Sequence, residues 1–174
     1  MDLCDMRALK EFNNNNTFIL TVIDVFSKFG FARVLPNKSG AIVLNAFIDI
    51  LEKSGKTPTR VNTDGGAEFS NALFRTKLKE RNIDFIVTNS EMKAAVVERW
   101  NRTLKQKMWR YFTFANTFKY TDIIDSLVDS YNKTPHRGIG MMRPIDVTKK
   151  KSVKSMGKVP PRKAQTDKIY VFGR

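Results

Sequence analysis

The sequence predicts an α/β fold: a five-stranded mixed sheet, three antiparallel strands followed by two parallel ones, with helices on both faces. Three observations predict it. Residues 1–36 alternate turn signals with runs rich in β-branched and aromatic residues. Two stretches of helical apolar spacing then each lead into a short apolar run. The chain closes with two further helical stretches and a basic tail.

Met1–Arg7 reads as a strand already under way, with Asp2 embedded in it, as though the chain began inside a larger protein. Asn13-Asn14-Asn15-Asn16 is a turn, and Thr17–Phe26 is a strand, so the first two strands form a hairpin. Ser27-Lys28 turns the chain again into Phe29–Pro36, which completes an antiparallel meander. Ser39 is placed to cap a helix over 40–53, with Ile42, Val43, Ala46, Phe47, Ile50 and Leu51 on its apolar side, and Gly55 ends it. Pro58–Thr63 is a short strand reached by that crossover helix, which makes it parallel to the first strand.

Ser70 or Asn71 caps the next helix, which runs to about Arg81 with Leu73, Phe74 and Leu78 as its apolar face. Ile83–Val87 is the fifth strand, and 88–95 a polar loop. Long helices follow over about 95–114 and 119–132, then irregular chain with a short turn near Pro144–Val147. Residues 1–148 form one domain. Residues 149–174 form a flexible basic tail, whose Ile169-Tyr170-Val171-Phe172 reads as the opening strand of a further domain. The order β-β-β-α-β-α-β-α-α is that of a ribonuclease H-like fold.

Composition narrows the partners. Lys and Arg number 31 against 17 Asp and Glu, a net charge of +14 that favours a polyanion, most simply nucleic acid. The tail 149–174 holds nine of the cations and one Asp, so the body is only mildly basic and can host a carboxylate site. One cysteine and one histidine exclude a disulfide framework within the chain and a Cys/His zinc site, and favour a reducing compartment. No apolar run is long enough to cross a membrane as a helix.

The chemistry concentrates in two stretches. Val61-Asn62-Thr63-Asp64-Gly65-Gly66 puts an aspartate where a strand ends in a turn, the end at which open α/β sheets bind ligands. The two glycines remove bulk there, so that a phosphate or a metal can approach the backbone. Alone, Asp64-Gly65 is an ordinary turn. Val97-Glu98-Arg99-Trp100-Asn101-Arg102 puts a glutamate near the start of the long basic helix, where the macrodipole alone would favour one. Glu98, Arg102, Lys105 and Trp109 share a stripe at i, i+4, i+7 and i+11, so a carboxylate is followed by cations that can track a phosphate backbone. The opposite stripe, with Val97, Leu104, Met108 and Tyr111, is the core side.

The 33 residues between Asp64 and Glu98 give room for the chain to return and bring the two together. Carboxylates from separate elements are the equipment for two-metal phosphoryl transfer. For a third, Asp2, Asp5 and Asp24 all lie in or beside the first hairpin, and spacing does not choose among them. Asp2 and Asp5 face opposite sides of a regular strand. His136 reads as structural rather than as a base.

These pieces resemble the catalytic core of retroviral and retrotransposon integrases, the DDE group of the ribonuclease H-like superfamily. The resemblance rests on Asp2–Met6, Leu20–Lys28, Asn62–Phe69, Val96–Lys105 and Tyr131–His136 with Pro144–Val147, in the family's order over roughly residues 1–148. Its flavour is that of the large self-synthesising DNA transposons of the Maverick (Polinton) type. The resemblance implies Asp2, Asp64 and Glu98 as catalytic residues holding Mg²⁺ or Mn²⁺, two ions in all, and it places Asn101, Arg102 and Lys105 against DNA. It further implies divalent-metal-dependent DNA strand transfer, DNA as the partner, a homo-oligomer, no organic cofactor and, in a eukaryotic host, the nucleus.

Departures are a slightly short Asp64–Glu98 spacing and no counterpart of the family's tryptophan before the first aspartate or of its upstream zinc-binding domain. An aspartate directly after Met1 predicts a frayed first strand. The alternatives to an integrase are an inactive DNA-binding remnant and, against the Asn62–Phe69 and Tyr131–His136 segments, a nuclease of the same fold.

Overall fold

The computed structural model describes the backbone of residues 1–87, 91–147 and 170–171, and the side chains of residues 1–87 and 95–147. The meander is present as β1 (Asp2–Asp5), β2 (Phe18–Ile23) and β3 (Gly30–Leu35). Its register pairs Asp2 with Thr21 and Asp5 with Phe18, then Thr21 with Ala32 and Ile23 with Gly30. The first strand is not frayed: all four of its residues are paired, Met1 is buried, and the Met1 amine donates to the Asn62 carbonyl at 2.9 Å.

The β1–β2 connection is more than a hairpin turn. A 3-10 segment, Arg7–Phe12, intervenes, and Asn14 and Asn15 take positive φ, which Asn tolerates. The first residue of the asparagine run is structural. Asn13 is fully buried, accepts from the Tyr120 N–H at 2.7 Å and donates to the Leu9 and Phe118 carbonyls.

Helix α1 (Gly40–Ser54) follows, with Ser39 at its N-cap position and Gly55 closing it at φ 62°, a conformation glycine adopts without a Cβ penalty. Strand β4 is Arg60–Thr63. The expected single helix after it is two, α2 (Ala67–Ser70) and α3 (Ala72–Glu80), because Asn71 leaves helical geometry to cap α3 and accepts from Phe74 N. Phe74 and Leu78 face the core as expected, but Leu73 is 48% exposed and leaves that face. Strand β5 (Asp84–Val87) runs parallel to β4. Thr88–Ser90, in the expected polar loop, lie outside the described residues, and α4 begins at Glu91 rather than near 95 and runs to Ala115. Helix α5 (Ile124–Asn132) starts later than its apolar spacing suggested.

The predicted strands and layers are all present, but the pairing is split. β1-β2-β3 form one antiparallel ladder, and β5-β4-β6 a parallel one, with the short β6 (Tyr170–Val171) alongside Arg60 and Val61 of β4. β6 lies alongside β4 at those two residues, and the Met1 amine bonds the Asn62 carbonyl between the two ladders. The segment read as opening a further domain thus has its strand paired inside this one. The rest of the expected flexible tail lies outside the described residues.

Two apolar clusters cover the two faces. Leu20, Val22, Val43, Phe47, Ile50, Phe74 and Leu78 join β2 to α1 and α3. Ile19, Ile23, Val97, Trp100, Leu104, Met108, Ile124 and Tyr131 join it to α4 and α5. Alternation along β2 sends successive side chains to opposite cores, which is why the strand reads as a continuous apolar run. Trp100 packs against the Gly30 backbone, where an added Cβ would lie 2.9 Å from its ring. Beside it, Asn132 accepts from Gly30 N at 2.8 Å and donates to Gly30 O at 2.9 Å, tying α5 to β3.

A candidate carboxylate site at the sheet end

Register decides which N-terminal aspartate faces the long helix. Cross-strand partners share a face. Asp2 sits opposite Thr21 and Cys4 opposite Ile19, and Ile19 and Cys4 belong to the core under α4. Asp5 sits opposite Phe18, which packs against the other core, and is taken up by Arg7 at 2.6 Å. Its hydrogen bonds to Arg7 hold the Asp5 carboxyl below the usual aspartate range. Asp24 is buried in the β2–β3 turn, where it accepts from Phe26 N and the Ser27 hydroxyl. Of the three candidates, Asp2 alone stands beside Asp64.

The Asp2 carboxylate is half-buried and held on both oxygens. Oδ1 accepts from the Leu3 N–H at 2.8 Å, and Oδ2 from the Asn101 amide at 2.7 Å. Asn101 Oδ1 in turn accepts from the Thr21 hydroxyl at 2.6 Å. A chain of hydrogen bonds therefore runs from β2 through α4 to β1 and sets the orientation of Asp2. Asn101, read from the sequence as a DNA contact, has its amide committed to this network. The signal was present: Asn101 lies three residues after Glu98, on the same side of the helix.

Asp64 lies just past β4 and accepts from the Gly66 N–H at 3.2 Å. Burial holds its carboxyl above the usual aspartate range; the Gly66 bond opposes this, and the charges of Asp2 and Glu68 add to it. Two crowded carboxylates on adjoining strands are oxygen donors suited to a hard divalent cation, which would relieve their repulsion. Glu98 is half-buried on α4, one turn before Asn101. Among the described residues, however, no three of His, Cys, Asp or Glu stand close enough together to hold an ion. The structure brings Asp2 and Asp64 together. The Leu3, Gly66 and Asn101 N–H groups donate to the pair, and the charge of the Met1 amine also favours the ionised Asp64.

Arg102 and Lys105 are exposed on α4, as the stripe predicts. Lys105 is near enough to Asp5 and Cys4 to favour their charged forms. Trp109, at the far end of the stripe, packs edge-on against Phe112 and Phe118 while remaining 54% exposed. His136 donates from Nε2 to the Tyr131 carbonyl at 3.2 Å, which fixes its tautomer and fits a structural role. Burial pushes the Cys4 thiol up to about 11, so the chain's one cysteine is an inert core residue. No helix of the described residues is long and apolar enough to cross a membrane.

No protein-family model matches the chain. A transposon-derived protein of Caenorhabditis elegans is 35% identical over 142 residues, which are 82% of this chain and 49% of that protein, so the chain spans about half the length of the relative it matches. The HTLV-2 integrase catalytic core domain, solved in complex with magnesium in a trimeric form, superposes with a TM-score of 0.61 at 20% identity, covering 72% of this chain and 82% of that one. The catalytic core domain of BIV integrase gives 0.65 at 19% identity, covering 80% and 90%. The chain therefore has the ribonuclease H-like fold of the integrase catalytic cores, and in sequence it is related to a transposon-derived protein.

Proposed function

We propose that this domain carries out divalent-metal-dependent DNA strand transfer. The observation that carries the reading is the pairing of Asp2 with Asp64 at one end of the sheet, with α4 reaching across to Asp2 through Asn101. Asp2, Asp64 and Glu98 are the residues that would hold Mg²⁺ or Mn²⁺. Such ions, when bound, activate the attacking oxygen and stabilise the leaving one in an in-line displacement. Asn101 fixes the rotamer of Asp2 so that one oxygen is directed consistently. Arg102 and Lys105, on the exposed side of the same helix, hold DNA phosphates, and their charge offsets that of the scissile region. A magnesium-bound core among the solved structures of this fold supports the choice of metal, and its trimeric form supports a homo-oligomer. The transposon-derived relative supports an origin in a mobile element; we assign it to the Maverick type on the flavour of the motifs, and to the nucleus of its host.

The test is joining of a short duplex with a recessed 3′ end into plasmid DNA, with Mg²⁺ or Mn²⁺. Wild type should join, and Asp2→Asn, Asp64→Asn and Glu98→Gln should each abolish joining while still folding. Intact DNA binding with neither joining nor metal binding in the wild type would favour the inactive remnant. Cleavage of the RNA strand of a hybrid without joining would favour the nuclease.

A further inference from the structure

We propose that the cleft between the β2–β3 turn, the early turns of α4 and the His136–Gly138 segment is a phosphate subsite that holds one DNA backbone phosphate beside the carboxylates. The proposal rests on the DNA-handling reading above and adds to it a site at the early turns of α4, shared with the β2–β3 turn and the His136–Gly138 segment.

The cleft has a volume of about 210 Å³, and Lys28, Arg99 and Arg137 line it together with His136, Trp100 and Tyr131. Among the described residues no acidic one lines it. Among the described residues none of its three cations takes part in an ion pair, whereas ten other pairs are formed across the molecule. Lys28 is held inward. Its backbone is left-handed at φ 61°, unusual for a residue with a Cβ, and its Nζ donates to the Val25 carbonyl at 2.6 Å. Burial pushes its pKa down, and the Arg99 charge adds to that against the pull of Asp24. Cations gathered in a half-enclosed space without a carboxylate between them are the arrangement that an oxyanion stabilises. A solvated charged face would let them spread apart, and it would not hold a lysine inward in a left-handed turn.

The position suits a substrate phosphate. Ile23, at the cleft wall, is two residues past Thr21 on the same side of β2, about 7 Å along the strand. Thr21 belongs to the hydrogen-bond chain that orients Asp2, and Arg99 is the neighbour of Glu98. Trp100, at the back of the cleft, also packs against Tyr131 with ring centroids 4.2 Å apart. That stack gives the cations a rigid floor.

The experiment is the salt dependence of binding to a labelled short duplex, in EDTA, by wild type and by Arg99→Gln/Arg137→Gln. Both arginines are exposed, and folding is checked by thermal unfolding. Each lost phosphate contact lowers the slope of log K against log salt by about 0.9 on duplex DNA. A slope smaller by about 1, together with weaker binding, is the expected result. Lys28→Asn, which keeps a residue tolerant of the left-handed turn, should give a smaller change in the same direction. Lys10→Gln/Lys79→Gln, on exposed surface away from the cleft, should leave the slope near wild type.

An unchanged slope in the double variant overturns the proposal, even if the wild type joins DNA. A reduced slope with no joining by the wild type upholds the subsite and sinks the strand-transfer reading instead. Titration with inorganic phosphate, followed by Trp100 emission in a Trp109→Phe background, separates the sources. A saturable response to phosphate combined with an unaltered DNA slope would identify a free-anion site and overturn the assignment to DNA.

Discussion

Asn101 is the side chain on which the geometry of the first aspartate depends. It donates to Asp2 and accepts from Thr21, so its truncation removes a hydrogen bond from the carboxylate and another from the buried hydroxyl. A hydrogen bond to a charged group contributes about 1.5–3 kcal/mol. Asn101→Ala should therefore slow strand joining roughly ten- to a hundredfold with little loss of DNA binding, measured as joining rate at saturating DNA. Asn101→Asp should be worse, because it sets a second negative charge against Asp2. Asp64 yields a pH prediction. Its carboxyl is held above its ordinary range, so the cost of ionising it is absent below the unfolded value and grows as pH rises through the folded one. Without metal, Asp64→Asn should raise the melting temperature at pH 7, and the gain should vanish at a pH below the ordinary aspartate range. Adding Mg²⁺ should raise the melting temperature of wild type and not of the variant, as seen by calorimetry in both conditions.

Helix α4 is positioned by its buried stripe, and the stripe depends on a glycine in a different element. Gly30→Ala would push a methyl to within 2.9 Å of the Trp100 ring, and overpacking of this kind costs about 1–3 kcal/mol. A denaturant midpoint shifted by that amount should be partly restored by adding Trp100→Phe, since the clash is between those two residues. The strand β2, the caps Asn71 and Gly55 and the core stripe of α4 were all legible in the sequence, because each is local chemistry that recurs along a run or sits at a boundary. Leu73 and Asn13 were not. Leu73 satisfies the helical period yet lies where α3 meets solvent, and Asn13 hides in a polar run although its amide bridges segments more than 100 residues apart. Local pattern carries no information about either neighbourhood. Spacing alone did not choose Asp2 over Asp5; the resemblance named Asp2, and the cross-strand register places the two aspartates on opposite faces.

Across the whole molecule, the positive charge and the paired carboxylates would act in opposite directions on the proposed DNA partner, and a bound divalent cation would change their balance. The net charge of +14 predicts affinity that falls steeply with salt. Neutralising Asp64 should tighten DNA binding in EDTA by removing repulsion, and the same change should abolish joining in Mg²⁺, so that a filter-binding series and a joining assay move in opposite senses. The resemblance named Asp2, Asp64 and Glu98 together, but no spacing tells how the early turns of α4 lie against the sheet, and among the described residues no three His, Cys, Asp or Glu side chains gather closely enough to hold an ion.

The two-sided burial of β2 has a consequence for the order in which the protein is made. Residues 1–85 supply everything needed to cover one face of the meander: α1, α3 and β4. Ile19, Ile23 and Cys4 on the other face wait for α4 and α5, which leave the ribosome later. A nascent chain paused near residue 90 would carry a half-finished sheet with one bare greasy side, the form on which a holding chaperone would act. Asn101 arrives with the covering helix, so its hydrogen bond to the first aspartate forms only as that side closes.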